Sequence, residues 1–132
     1  FNVYGPNENH KGNQASPIHK FTEQAKTGKI KLFENSENYK RDFVCVSDIC
    51  EVHEKMLDIN EKGVYNIGTG NAISFQQVAD LIANKYSADI EYIPMPDNLK
   101  GQYQEYTCAN LDSLSTVVKH KFKSVEEYVN GC

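Results

Sequence analysis

The chemistry open to this chain rests on a lysine, an arginine, a histidine and a tyrosine set among polar, glycine-punctuated segments. Lys11 stands in Asn9-His10-Lys11-Gly12, directly after the turn Phe1-Asn2-Val3-Tyr4-Gly5-Pro6. A lysine works as acid or base near neutral pH only where burial or a nearby cation depresses its pKa. In a loop without neighbouring hydrophobics its plain reading is a solvated side chain. Arg41 follows Phe33-Glu34-Asn35-Ser36-Glu37-Asn38-Tyr39-Lys40, a run of acceptors and backbone amides. There a guanidinium can grip a diphosphate through two parallel hydrogen bonds. On residue type alone, Asn2 reads as satisfying turn backbone and His19 as a surface histidine off the apolar face of its helix. Tyr103 reads as packing and Lys100 as solvated.

Other spacings exclude chemistry. Gly68-Thr69-Gly70 follows a strand-like run and precedes a helix, which invites a dinucleotide-loop reading. The third glycine of G-x-G-x-x-G would fall at Ile73, and no acidic residue follows at the required distance, so the pair reads as a turn. Cys45, Cys50, Cys108 and Cys132 form no C-x-x-C and no Cys/His set at zinc spacing. Cys45 reads as a small buried hydrophobe, and no metal is expected. A net charge of −4, no Trp and no basic block argue against nucleic acid. No apolar run reaches the ~20 residues of a membrane helix. Nothing resembles a cleavable signal, and a reduced, cytoplasmic setting is the default expectation.

The elements that must position these residues alternate between strand and helix. Phe1–Val3 reads as a strand running into a tight turn. Ser16-Pro17 opens a helix carrying Ile18, Phe21 and Ala25, stopped by Gly28. Ile30–Phe33 and Phe43–Val46 read as strands. Ser47 is expected to cap a helix with Ile49, Val52, Met56 and Leu57 on one face, closed by Gly63, with Asp48 set against its N-terminal dipole. Val64–Ile67 reads as a short strand. Ser74 with Gln77 predicts a capping box before Phe75, Val78, Leu81 and Ile82. Ile90–Ile93 is a further strand, Asn110 leads into a helix with Leu111, Leu114, Val117 and Val118, and Ser124 with Glu127 caps a final short helix. The class is α/β, at 132 residues one modest domain.

Phe1–Pro6, Arg41-Asp42-Phe43-Val44 and Tyr65–Gly70 resemble the signatures of extended short-chain dehydrogenase/reductases of the NAD-dependent epimerase/dehydratase family. Asn9–Gly12, Leu32–Val44 and Glu91–Gln104 narrow the resemblance to the ADP-glycero-manno-heptose 6-epimerase branch. The resemblance spans essentially the whole chain. It implies the C-terminal, substrate-binding part of a Rossmann-type reductase, with residues near 1–6 and 43–68 belonging to a dinucleotide-binding domain whose glycine-rich half is absent. It implies NADP-dependent interconversion of ADP-D-glycero- and ADP-L-glycero-β-D-manno-heptose by transient oxidation at C6, in the synthesis of a lipopolysaccharide core precursor, by a homo-oligomer.

On the matching positions the resemblance makes Lys11 a catalytic acid/base. Asn2, His19, Phe33, Glu34, Asn35, Ser36, Arg41 and Tyr103 become substrate contacts, and Val3 and Lys11 cofactor contacts. Gly12-Asn13 stands where Gly-Ser is usual, and the chain is one residue shorter around Ser16–His19. It carries no Y-x-x-x-K, the source of the family's other acid/base, so it is expected to be inactive alone. Two alternatives stand beside this: another nucleotide-sugar epimerase or dehydratase, and a non-catalytic nucleotide-sugar-binding module.

Overall fold

The computed structural model describes residues 1–131, and Cys132 lies outside them. Three two-stranded ladders are built from β1 (Asn2–Tyr4), β2 (Lys29–Phe33), β3 (Lys40–Arg41), β4 (Phe43–Cys45), β5 (Ile73–Ser74) and β6 (Asp89–Ile93). β1 pairs with β4 and β2 with β6, both in parallel, while β3 and β5 run antiparallel. The helices are α1 (Pro17–Lys26), α2 (Val46–Met56), α3 (Phe75–Tyr86), α4 (Asp112–Ser115) and α5 (Val125–Gly131). Short 3₁₀ segments at Asn9–Gln14 and Ser36–Asn38 complete the order. The α/β class is as expected.

The main core forms where α1 and α3 cover β2. Ile18, Phe21 and Ala25 of α1 meet Ile30 and Leu32 of the strand and Val78, Ala79 and Ile82 of α3, with Tyr4, Phe43, Val125 and Val129 closing the cluster. Both helices begin on side-chain caps. Ser16 Oγ accepts from the His19 N–H with Pro17 in the first turn, and Ser74 and Gln77 form a reciprocal capping box. Ser124 and Glu127 make the same exchange before α5. A second cluster gathers Val52, Leu114 and Val118.

Four expectations are corrected. α2 springs directly from β4 with Cys45 at its N-cap, so Ser47 already lies in the first turn, its Oγ 3.2 Å from Cys45 Sγ. The helix ends at Met56 rather than at Gly63, and Leu57 is 82% exposed. Val64–Ile67 forms no strand, because no neighbouring chain offers it a ladder among the described residues, and Val64 is 97% exposed. The helix after Asn110 is a single turn, yet it buries Leu114 as its spacing requires.

Asp48 does more than face a helix dipole. It is buried, and its carboxylate accepts from His120 Nε2 (2.8 Å) and the Lys123 N–H (2.9 Å), tying the 120–123 segment to α2. Lys55 Nζ lies 2.9 Å from the other ring nitrogen of His120. An ammonium only donates, so that nitrogen accepts and the ring proton sits on Nε2. Asp48, His120 and Lys55 thus form a hydrogen-bonded chain, with Glu51 Oε2 3.8 Å from His120 Nδ1.

Candidate functional site

Arg41 is the best-built of the candidate residues. β3 is clasped on both sides: Phe75 N–H donates to the Tyr39 carbonyl (3.0 Å), and Lys40 exchanges bonds with Glu105 (2.7 Å) and Thr107 (3.2 Å). This places the Arg41 guanidinium 5.4 Å from the Phe75 ring centroid and 5.3 Å from that of Tyr103, two cation–π contacts with rings whose own centroids lie 5.9 Å apart. Arg41 is only 8% exposed, and its Nη1 donates to the Lys40 carbonyl at 2.8 Å. Among the described residues no carboxylate pairs with it. Burial raises the Tyr103 phenol above its ordinary pKa, with the Arg41 charge pulling the other way.

Next to Arg41, residue 42 holds a fully buried carboxylate. Asp42 Oδ1 accepts from Thr69 N–H (2.8 Å) and Thr69 Oγ1 (2.6 Å), and Oδ2 from Gly70 N–H (2.9 Å) and Ala109 N–H (3.1 Å). The Thr69 and Gly70 amides of this turn are therefore committed to a side chain of the protein itself. That is the physical reason this glycine pair is not a phosphate loop. Gly68 is required by close approach, since a Cβ there would stand 2.7 Å from Asp42 Oδ2 and 2.6 Å from Ala109 Cβ.

Phe75 and Tyr103 also wall a cleft of about 350 Å³, with Phe33, Ser36, Tyr39, Met95 and Lys20 around it. Tyr39 and Tyr103 meet edge to face at 5.1 Å. The chain enters this wall from β2, and Ser36 Oγ donates to the Phe33 carbonyl at 2.5 Å. Asn35 adopts the left-handed conformation (φ 63°), and Glu34 and Asn35 stand exposed at the turn. The structure thus brings Phe33, Ser36, Arg41 and Tyr103 together, with Glu34 and Asn35 adjoining. A cleft of about 460 Å³ between α3 and the 122–126 segment is lined instead by Asn71, Gln77, Asp80, Asn84 and Lys123.

The remaining candidates lie elsewhere. His19, on another face of α1, lines a cleft of about 170 Å³ with Lys26, Lys85 and Tyr128. Asn2 pairs with Phe43 across the β1–β4 ladder, and Val3 is 38% exposed beside it. Lys11 extends from the first 3₁₀ segment, 40% exposed, with Nζ 3.8 Å from Glu8 Oε2. Its near neighbour is a carboxylate and its side chain is partly exposed, so the described residues give it no deep burial.

Two organising residues escaped the sequence reading: Asp42, hidden inside a signature noted for its arginine, and Glu8. Glu8 is buried and accepts from Gly5 N–H (3.1 Å), Ser16 N–H (2.7 Å) and Ser16 Oγ (2.8 Å), joining the Pro6 turn to the start of α1. Burial pushes its pKa up, but the Ser16 and Gly5 hydrogen bonds and the Lys11 charge more than offset this and leave it below the ordinary value. An acid at a strand junction and an acid in a polar loop carry no periodic signal, so residue type alone marks neither.

This arrangement of parallel ladders, covering helices and a buried arginine beside an aromatic cleft has close relatives. Residues 1–68 match the NAD dependent epimerase/dehydratase family, and the chain belongs to it. The ADP-L-glycero-D-manno-heptose-6-epimerase of Helicobacter pylori superposes with a TM-score of 0.84 at 25% identity, over 99% of this chain and 40% of that one. The UDP-glucose 4-epimerase of Thermotoga maritima, solved with UDP-glucose, gives 0.80 at 28% identity over 97% and 41%. The UDP-N-acetylglucosamine 4-epimerase of Methanobrevibacter ruminantium shares the fold, at 0.78 and 20% identity over 98% and 43%. The chain thus spans about two fifths of the length of these enzymes.

Proposed function

We propose that this chain is the substrate-gripping region of a nucleotide-sugar epimerase that interconverts ADP-D-glycero- and ADP-L-glycero-β-D-manno-heptose, supplying a lipopolysaccharide core precursor in the cytoplasm. In this reading residues near 1–6 and 43–68 lie against a dinucleotide-binding domain, and the whole enzyme is a homo-oligomer. One observation carries it: a buried guanidinium, in contact with two adjoining rings and paired with no carboxylate among the described residues, stands beside the cleft that those rings help to wall. Such a group is organised for an anion that arrives from outside, and a diphosphate matches its fork. The likeness to the Helicobacter pylori enzyme and the Asn9–Gly12 and Leu99–Gln104 stretches support the heptose reading.

Val3 and Lys11 are the residues that would face NADP. Val3 leaves apolar surface on β1 and Lys11 presents an exposed ammonium, a donor set that suits a ring face and a polar edge. Bound NADP supplies reversible hydride removal and return at C6. The chain's own residues do the rest. Arg41 and the cleft hold the ADP end while the sugar presents either face, and Lys11 exchanges a proton with the C6 oxygen on one of them. Asn2 and His19, set apart from the cleft, would reach the sugar end.

Replacing Arg41 by alanine in the full-length enzyme should raise KM for the ADP-heptose by at least about tenfold, the usual worth of a charge-assisted contact, with kcat changed by less than about threefold. An unchanged KM with a large fall in kcat would assign Arg41 to the chemistry. A UDP-sugar reading is favoured by the 28% identity to the UDP-glucose enzyme. Competition separates the two, since UDP-glucose should fail to displace ADP-heptose.

A further inference from the structure

We infer that Asp42 is a positioning residue for Arg41, acting through the two adjoining rings that contact the guanidinium. The inference rests on reading Arg41 as the diphosphate grip. The N–H and O–H donors to the Asp42 carboxylate come from two separate segments, and the Cys108 thiol adds a long contact (4.0 Å) from the second. Thr69 and Gly70 lead into β5, whose pairing with β3 sets Arg41 opposite Ile73, and Phe75 follows that strand at once. Ala109 closes the stretch that starts at Tyr103 and pairs with Lys40 through Glu105 and Thr107. One side chain therefore anchors the segments that carry both rings in contact with the arginine. It also lies next to Arg41 in sequence, so rings and guanidinium share a single reference point.

Only a carboxylate fits. Every donor around residue 42 points a proton inward, and an acceptor-only group can take all of them. An asparagine would set its amide N–H₂ against backbone N–H groups on one side, leaving buried donors without partners. Loss of the staple on either side would let Phe75 or Tyr103 drift and free the guanidinium from its fixed plane. A bidentate contact is sensitive to that plane.

The test is the affinity for ADP, measured by isothermal titration on the full-length protein carrying Asp42→Asn, Arg41→Ala, both together, or Thr69→Val. Arg41→Ala and Asp42→Asn should each weaken ADP binding by at least about tenfold. The double variant should bind no worse than about twofold beyond Arg41→Ala, because residues acting through one contact are not additive. A merely structural role would add its loss in either background and would overturn the inference, as would wild-type affinity in a folded Asp42→Asn protein. If that variant does not fold, Thr69→Val, which removes one donor and keeps the charge, carries the test. It should weaken binding in the native background and not in Arg41→Ala, and unchanged affinity overturns the proposal. Should Arg41→Ala itself leave ADP binding intact, the diphosphate reading falls and the positioning role with it. An intact Arg41 effect with a silent Asp42 defeats the positioning role alone.

Discussion

Lys11 and Arg41 divide the proposed work between proton transfer and grip, and their surroundings differ accordingly. Arg41 is fixed by two rings and a clasped strand, whereas Lys11 sits on a partly exposed segment beside Glu8. If Lys11 is the acid/base for one face of C6, Lys11→Met in the full-length enzyme should lower epimerisation at least about a hundredfold, the range of general acid/base groups. Hydride transfer from one epimer alone should survive. A change below about threefold with normal folding would strike Lys11 from the catalytic role. Glu8 gives a second test at this scale. Its folded-state pKa lies below the ordinary 4.5, so its stabilisation is complete at neutral pH and is lost as the pH falls through that lowered value. Glu8→Gln, which turns an amide N–H₂ toward the Ser16 N–H, should cost about 1–3 kcal/mol near neutral pH. The gap in Tm from the native protein should close on acidification, and a gap constant down to about pH 3, beneath the ordinary carboxylate range, would contradict it. Arg41 was legible because its motif announces it. Asp42 and Glu8 were not, since what gives them meaning is a set of donors contributed from distant turns.

The elements that carry the site were mostly written in their caps and periods. The Ser74–Gln77 box starts α3, and the first residue of that helix is Phe75, one of the two rings beside Arg41. Ser74 is 3% exposed, so Ser74→Ala should cost about 1–2 kcal/mol of stability. That loss can be read as a shifted denaturation midpoint with an unchanged m-value. A shift near zero would mean that the tertiary contacts of Phe75 hold the helix start without its cap. Where prediction failed, the missing information was relational. Val64–Ile67 has the composition of a strand, yet a strand exists only through a partner ladder. The Ser47 cap was misplaced because β4 turns into α2 without a linker, and no residue type marks such a junction. The helix after Asn110 was overextended because Leu114 and Val118 keep their burial through a single turn and the irregular chain behind it.

At the scale of the whole molecule, the large apolar groups left uncovered among the described residues are Phe1, Val3, Leu57 and Val64, with Tyr92 and Tyr106. Val3 belongs to a two-stranded parallel ladder, an arrangement normally covered on both faces, and Phe1 directly precedes it. Uncovered apolar surface of that kind favours association. The isolated chain should elute increasingly large as its concentration rises, with rapid amide exchange over 57–67. A concentration-independent monomer with uniform protection would contradict this. No helix of the described residues is long and apolar enough to cross a membrane. The central claim is that the aromatic cleft beside Arg41 receives the nucleotide diphosphate, and amide NMR shifts of the labelled protein during titration with ADP test it most directly. The account predicts saturable shifts concentrated at Phe33, Ser36, Tyr39, Arg41, Phe75 and Tyr103. Shifts gathered instead around Asn71, Gln77 and Lys123 in the larger cleft, or none at all, would contradict it.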